Sequence, residues 1–187
     1  NLGLNKKIHA RKCKVIDLTI EQAQKFVNEN HIQELKRSSL KCFGLEYEDN
    51  LVGVITFNLH HRNNQELVLE RLCFSDGTTV VGGSSKLFKA GVDWARGKYN
   101  KILSWSDNRW SDGNVYKKLN FILEKEWGPD YSYVYLKNPK ERRSKQSMSK
   151  RRLKCPKEIT EKEFVTKLGY SRIWDCGKKK WVFTIGD

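Results

Sequence analysis

The chain has 187 residues, 36 Lys+Arg against 22 Asp+Glu and a formal charge of +14, which bounds it to one packed domain with at most a small appendage and biases it toward a polyanion. Six Trp, seven Tyr and eight Phe supply a core and exclude global disorder. There is no apolar run of transmembrane length and no signal-peptide pattern, so no membrane is expected and an intracellular protein is favoured.

The opening Asn1-Leu2-Gly3-Leu4 carries no initiator Met and reads as an internal point of a longer protein; residues 1–12 are basic. Lys14 to Leu18 reads as a short strand. Thr19, with Gln22 three residues on, marks the N-cap of a helix from Ile20 to Glu29, closed by Asn30-His31-Ile32-Gln33. Leu40 to Tyr47 and Leu51 to Phe57 read as a hairpin about Glu48-Asp49-Asn50, and Glu66 to Phe74 as the next strand. A helix is expected from Ser84 to Arg96, a strand from Lys101 to Ser106, and a short helix from Asp112 to Leu119 that ends in an αL residue at Asn120. Ile122 to Trp127 and Tyr131 to Leu136 read as closing strands. Hairpins first and crossovers later predict an α/β (α+β) fold, a mixed sheet with helices on its faces.

Between the strand ending at Phe74 and the helix at Ser84 lies Val81-Gly82-Gly83-Ser84-Ser85. Glycine lets a backbone approach a ligand closely, and the first turn of a helix offers unpaired N–H groups to a phosphate. The same residues serve equally as a turn and a serine N-cap. The five cysteines, Cys13, Cys42, Cys73, Cys155 and Cys176, form no C-x-x-C pair, which favours reduced thiols. Cys42 and Cys73 fall in strand patterns and read as small core residues. No metal site is expected from Cys155, Cys176, His31, His60 and His61, whose spacing is that of no common ligand set.

Residues 137–157 hold ten Lys/Arg and one acid, Glu141, and read as a basic arm along phosphates, with a solvated linker as the alternative. Its candidate contacts are Arg142, Arg143, Lys145, Lys150, Arg151, Arg152 and Lys154. Beyond it, Thr160 and Glu163 predict a capped helix to Leu168, and Tyr170 to Asp175 and Lys180 to Thr184 a hairpin around Cys176-Gly177. The expected organisation is a domain over 1–136, the arm over 137–157 and a small helix-hairpin extension over 158–187.

The strand, Gly-rich loop, helix and strand, followed by Asn114-Val115-Tyr116-Lys117-Lys118-Leu119-Asn120-Phe121, resemble the core of the GNAT acyltransferase fold. Asn120 stands where that pattern has Gly. Ala10-Arg11-Lys12-Cys13, Glu29 to Gln33, Gly82 to Leu87, Ser106 to Ser111 and Asp175-Cys176-Gly177 resemble a domain of bacteriophage proteins. That domain sits C-terminal to a very-short-patch-repair-type nuclease domain in homing endonucleases, and is similar to Mom-type DNA-modification proteins. The resemblance implies a DNA-binding and targeting role in the cytoplasm of a phage-infected bacterium, beside an N-terminal nuclease domain in the same protein. The alternative it implies is a Mom-like transferase acting on DNA bases with acetyl-CoA or a similar acyl-CoA. No nuclease carboxylate motif is visible here, so cutting residues would lie outside this chain.

For acyl transfer, Val81, Gly82, Gly83, Ser84 and Ser85 would cradle the cofactor and Glu70 would act as base through a water. The resemblance places the acid at Tyr116, and Asp107 completes the catalytic candidates. Each has a structural alternative, such as pairing of Glu70 with Arg71 or plain packing of Tyr116. For nucleic acid, Arg109 and Trp110 follow a strand end, where Arg reads an edge or phosphate and Trp stacks on an unpaired base. His31 and Gln33 at a helix end line the same cleft or act as caps.

Overall fold

The computed structural model describes residues 5–35 and 39–186; Asn1-Leu2-Gly3-Leu4 lies outside the described residues. The chain opens with β1 (Lys6–His9), a 3-10 turn (Ala10–Lys12), β2 (Lys14–Asp17) and α1 (Ile20–Asn30). A meander follows: β3 (Lys41–Tyr47), β4 (Asn50–His60) and β5 (Asn63–Phe74). Then come β6 (Thr78–Val81), α2 (Gly83–Ala95), β7 (Lys101–Asp107), α3 (Asn114–Lys118) and β8 (Ile122–Trp127). The remainder is β9 (Tyr131–Tyr135), β10 (Asn138–Arg143), α4 (Lys150–Leu153), α5 (Glu161–Lys167), β11 (Tyr170–Trp174) and β12 (Lys178–Thr184).

Seven strands form one mixed sheet in the order β2-β3-β4-β5-β7-β12-β8. Strands β2 to β5 pair antiparallel, and β5 pairs parallel with β7 across the α2 crossover. Alternation along β4 sends successive side chains to opposite faces. Val54 packs under α1 with Ala23, Phe26, Val27, Cys42 and Cys73. Ile55 and Phe57 pack under α2 with Leu67, Leu87, Phe88, Ala95 and Ile102. Burying each of the Val, Ile, Leu and Phe side chains among them stabilises the fold by about 1.5–3 kcal/mol.

The expected start of α1 is present in full. Thr19 accepts from the Gln22 amide at 3.2 Å and the Gln22 side chain accepts from the Thr19 amide at 2.9 Å. The same reciprocal cap joins Thr160 and Glu163 at the start of α5. Asn120 adopts φ 61°, as the expected αL residue does.

The chain divides into two compact units. The first comprises Asn1–Ser106, Gly113–Lys125 and Lys180–Asp187. The second comprises Asp107–Asp112 and Glu126–Lys179; it holds the three-stranded sheet β10-β9-β11 over a core of Tyr133, Met148 and Val165.

The stretch 137–157, read as a basic arm, holds β10, a turn and α4, with Met148 buried. Two expectations change. The tail strands do not pair with each other: β11 runs antiparallel to β9, while β12 enters the seven-stranded sheet between β7 and β8. The segments read as a polar start and a loop supply β1 and β6, a parallel pair. Among the described residues no helix is long and apolar enough to cross a membrane.

Candidate active site

The site begins with a defect in a strand. Thr56 pairs with Arg71 and Phe57 with Leu69, so Glu70 is the extra residue of a β-bulge in β5. A bulge interrupts the ladder and re-aims the side chain. The Glu70 carboxylate accepts from the Ser39 hydroxyl at 2.9 Å and from the Asn58 amide at 3.4 Å. It lies on the α1 side of the sheet, close enough to Cys42 for its charge to act on that thiol. Burial, reinforced by Glu70, lifts the Cys42 thiol to about 11 despite a hydrogen bond from Ser39.

Beyond the bulge the sheet opens. The parallel register of β5 and β7 joins Glu66, Leu67 and Val68 to Lys101, Ile102 and Leu103. β5 then continues to Phe74 and β7 to Asp107 with no further pair in that register. At the fork the Ser104 hydroxyl donates to the Leu69 carbonyl at 3.0 Å. The Tyr116 hydroxyl lies 2.9 Å from the same Ser104 oxygen and 3.3 Å from the Trp105 carbonyl. Tyr116 donates to the Trp105 carbonyl, and either hydroxyl can donate in the Ser104–Tyr116 pair. Its ring stacks on Trp181 at 5.5 Å and meets Phe121 edge-on at 5.4 Å, within the α2-side cluster. Burial raises the Tyr116 phenol above its ordinary value, although Ser104 and Arg71 pull it down. Tyr116 is therefore a protonated donor at neutral pH.

Glu70 and Tyr116 thus lie on opposite faces of one sheet, where two parallel strands part.

The α3 turn that carries Tyr116 depends on Gly113, whose φ is 79°. A Cβ there would stand 2.1 Å from the Trp181 ring. Only glycine reconciles the αL conformation with the indole that supports Tyr116, and the Trp181 Nε1–H is fixed by the Ser106 hydroxyl at 2.9 Å.

At the other expected site, Gly82 is the N-cap of α2 with φ 78°, while Ser84 and Ser85 lie inside the first turn and are not the cap. The first intrahelical bond beyond the cap is Lys86 N–H to the Gly82 carbonyl at 3.1 Å. The Gly83, Ser84 and Ser85 amides precede it and carry the positive end of the dipole. Val81 and Ser85 are exposed, and an added Cβ at Gly82 would meet only Ala10, at 3.7 Å. Gly83 has a different role, since its Cβ would strike Phe74 at 2.6 Å. A row of unbonded amides at a helix start is suited to an anion such as a phosphate.

His31 and Gln33 shape a turn. The Gln33 amide lies 2.9 Å and the Gln33 carbonyl 3.0 Å from His31 Nδ1, and burial, the main cause, lowers the His31 pKa. The turn is clamped by Arg71, which donates to the carbonyls of Gln33 at 3.1 Å, Glu34 at 3.0 Å and Glu70 at 2.6 Å. Sequence reasoning missed Ser39, Asn58 and Ser104, and it expected Arg71 to pair with Glu70, whereas its hydrogen bonds go to main-chain carbonyls. It also missed Thr56, fully buried with its hydroxyl unpartnered.

In the second unit Asp107 forms a turn: its carboxylate accepts from the Arg109 amide at 2.8 Å and its carbonyl from the Trp110 amide at 3.0 Å. Arg109 and Trp110 are exposed. Of the basic candidates, Arg143 pairs with Glu141 at 2.9 Å and Lys145 with Asp130 at 3.0 Å. Arg142, Lys150, Arg151, Arg152 and Lys154 are exposed and make no ion pair among the described residues. Arg142 lies on β10, Lys150, Arg151 and Arg152 on α4, and Lys154 at its C-cap.

No family model matches the sequence, and no curated protein sequence matches it. Solved structures do. The ribosomal-protein-S18-alanine N-acetyltransferase from Escherichia coli has a TM-score of 0.56 at 8% identity, over 94% of this chain and 95% of that one. A GNAT-family acetyltransferase from Streptococcus pneumoniae has a TM-score of 0.55 at 11% identity, over 93% and 99%. A GNAT-family acetyltransferase from Elizabethkingia anophelis, with acetyl-CoA bound, has a TM-score of 0.50 at 10% identity, over 92% and 98%. At these identities the likeness establishes the GNAT fold.

Proposed function

We propose, with the GNAT fold as premise, that the chain is an acyl-CoA-dependent N-acyltransferase whose acceptor amine is carried on DNA. The observation behind the chemistry is the placement of Glu70 and Tyr116 on either side of the β5–β7 fork. An acyl-CoA supplies an acyl group already activated as a thioester. The α2 first-turn amides and the Gly82 backbone hold its diphosphate. Glu70, oriented by Ser39 and Asn58, takes the proton of the attacking amine, directly or across one water. Tyr116, kept protonated by burial, gives its proton to the departing sulfur, and Ser104 keeps the phenol aimed at the gap. The case for DNA as the carrier is the +14 charge and the unpaired cations of β10 and α4.

A second reading keeps the scaffold without the chemistry: the DNA-targeting domain of a phage homing endonuclease, with the cutting residues in another domain. The cation-rich stretch 137–157 favours it. Calorimetric titration with acetyl-CoA, followed by nucleoside mass spectrometry of duplex DNA incubated with protein and acetyl-CoA, separates the two. Stoichiometric binding and an acetyl mass gain that Glu70→Gln abolishes support the transferase. DNA binding with no acetyl-CoA binding overturns it in favour of the targeting domain.

A further inference from the structure

Five cations, Lys6, Lys7, Arg11, Lys12 and Lys14, precede the first acid of the chain, Asp17. A solvated surface ordinarily mixes signs, and this segment is built into the fold. β1 lies parallel to β6, with Ile8 opposite Val80 and His9 opposite Val81. Ile8 and Ala10 are buried in the α2-side core. Lys86, from the first turn of α2, donates its ammonium to the carbonyls of Ala10 at 3.0 Å and Cys13 at 2.5 Å. That cation is consumed in fixing the backbone of the 3-10 turn. Lys6 is held 5.6 Å from the Tyr47 ring centroid. Arg11 and Lys12 follow the buried Ala10, stay exposed and have no acidic partner among the described residues. The turn abuts the cofactor loop: Ala10 Cβ is 3.7 Å from where a Gly82 Cβ would stand.

We propose that Arg11 and Lys12 bind the 3′-phosphate monoester of the CoA-type cofactor. The inference rests on the acyl-CoA reading and adds a subsite that reading leaves open. A CoA carries two separate anionic groups, the diphosphate and the ribose 3′-phosphate. The amides of α2 suit the diphosphate; the monoester, a compact dianion, suits a guanidinium fork and an ammonium. Lys86 serves the turn itself, its ammonium donating to the Ala10 and Cys13 carbonyls.

The test is calorimetric titration of the full chain with acetyl-CoA and with acetyl-3′-dephospho-CoA. The wild type should prefer acetyl-CoA by roughly tenfold or more, as loss of one charge-assisted contact implies. Arg11→Ala/Lys12→Ala should remove the preference while leaving affinity for the dephospho form unchanged, which also reports an intact fold. Arg11→Glu should reverse the preference. Equal wild-type affinity for both ligands overturns the subsite while the transferase reading stands; binding of neither overturns both. A preference that survives in the double variant places the monoester elsewhere. Loss of DNA affinity in that variant, with the preference intact, assigns the turn to nucleic acid instead.

Discussion

The two units are held by different kinds of force. In the first, α1 and α2 press aliphatic and aromatic side chains onto the two faces of a seven-stranded sheet. In the second, the buried core is Tyr133, Met148 and Val165, and much of the remaining cohesion is polar. The Tyr133 hydroxyl donates to Glu161 at 3.0 Å and the Tyr170 hydroxyl to Glu141 at 2.7 Å. Lys145 and Arg172 stand over the Tyr131 ring at 4.5 and 4.2 Å. Dense packing fixes positions to fractions of an ångström, as acid–base chemistry requires. Charge pairs and cation–π contacts tolerate adjustment and respond to salt and pH. Glu70, Tyr116 and the stretch from Val81 to Ser85 lie in the first unit and most of the basic candidates in the second, so the proposed chemistry and the proposed electrostatic attraction are divided between them.

The strongest way to break that assignment is catalytic. Glu70→Gln should lower kcat/KM for acetyl transfer by about 10²–10⁴, the usual value of a positioned base, while DNA affinity stays as it was. Tyr116→Phe should act in the same direction, chiefly on kcat. Retained activity in both would remove the chemistry from the fork.

Next in size is a packing test. Gly113→Ala places a methyl against Trp181 and forces an αL alanine, at a cost of about 2–5 kcal/mol from overpacking and backbone strain together. Thermal denaturation should show a large fall in Tm, and a Trp181→Leu background should recover part of it.

A salt series sharpens the other half of the comparison. Arg151→Ala/Arg152→Ala should reduce the slope of log K against log salt for duplex DNA by roughly two, with acetyl-CoA affinity unchanged. An unchanged slope would remove α4 from the interface.

The pH effect is smaller. Asp130, bonded by Lys145, and Glu141, bonded by Tyr170 and Arg143, both titrate below their ordinary values. Glu163, which accepts the Thr160 amide, and Asp175, which accepts the Asp130 amide, do likewise. A depressed carboxylate stabilises the fold above its unfolded pKa and loses that contribution as pH falls through the folded value. The second unit should therefore loosen as pH drops below the ordinary 4.5 of Glu and 3.8 of Asp. Amide exchange across β9 and β11 should then accelerate before exchange across β4. The least perturbing test uses thiols. A disulfide reagent should label Cys155 and Cys176 in the native protein and spare Cys42 and Cys73, whose burial raises them to about 11 and 12.

What the sequence disclosed follows the range of the interactions involved. Thr19 with Gln22 and Thr160 with Glu163 are local signals, and both caps form. The strand-loop-helix around Gly82 and the helix carrying Tyr116 were legible because apolar periodicity and glycines mark them. β1 was not, because Lys-Lys-Ile-His carries one apolar residue and its partner β6 lies some seventy residues away, with Lys6 opposite Thr78. β10, Asn-Pro-Lys-Glu-Arg-Arg, reads as a solvated run and becomes a strand only against β9. Ser39 as a partner of Glu70 and Arg71 as a donor to the Glu34 carbonyl went unseen because these pairs lie 31 and 37 positions apart and no local pattern encodes them. A bulge likewise leaves no mark in the alternation of β5.

The placement of β12 between β7 and β8 also bears on synthesis. Both neighbours leave the ribosome well before residues 178–184, so the nascent sheet waits with a vacant lane and unsatisfied main-chain groups on either side. Translation adds about 5–20 residues per second, so that interval lasts seconds. A chain stalled short of Trp181 would present those open edges to chaperones, and Tyr116 would lack the ring on which it rests.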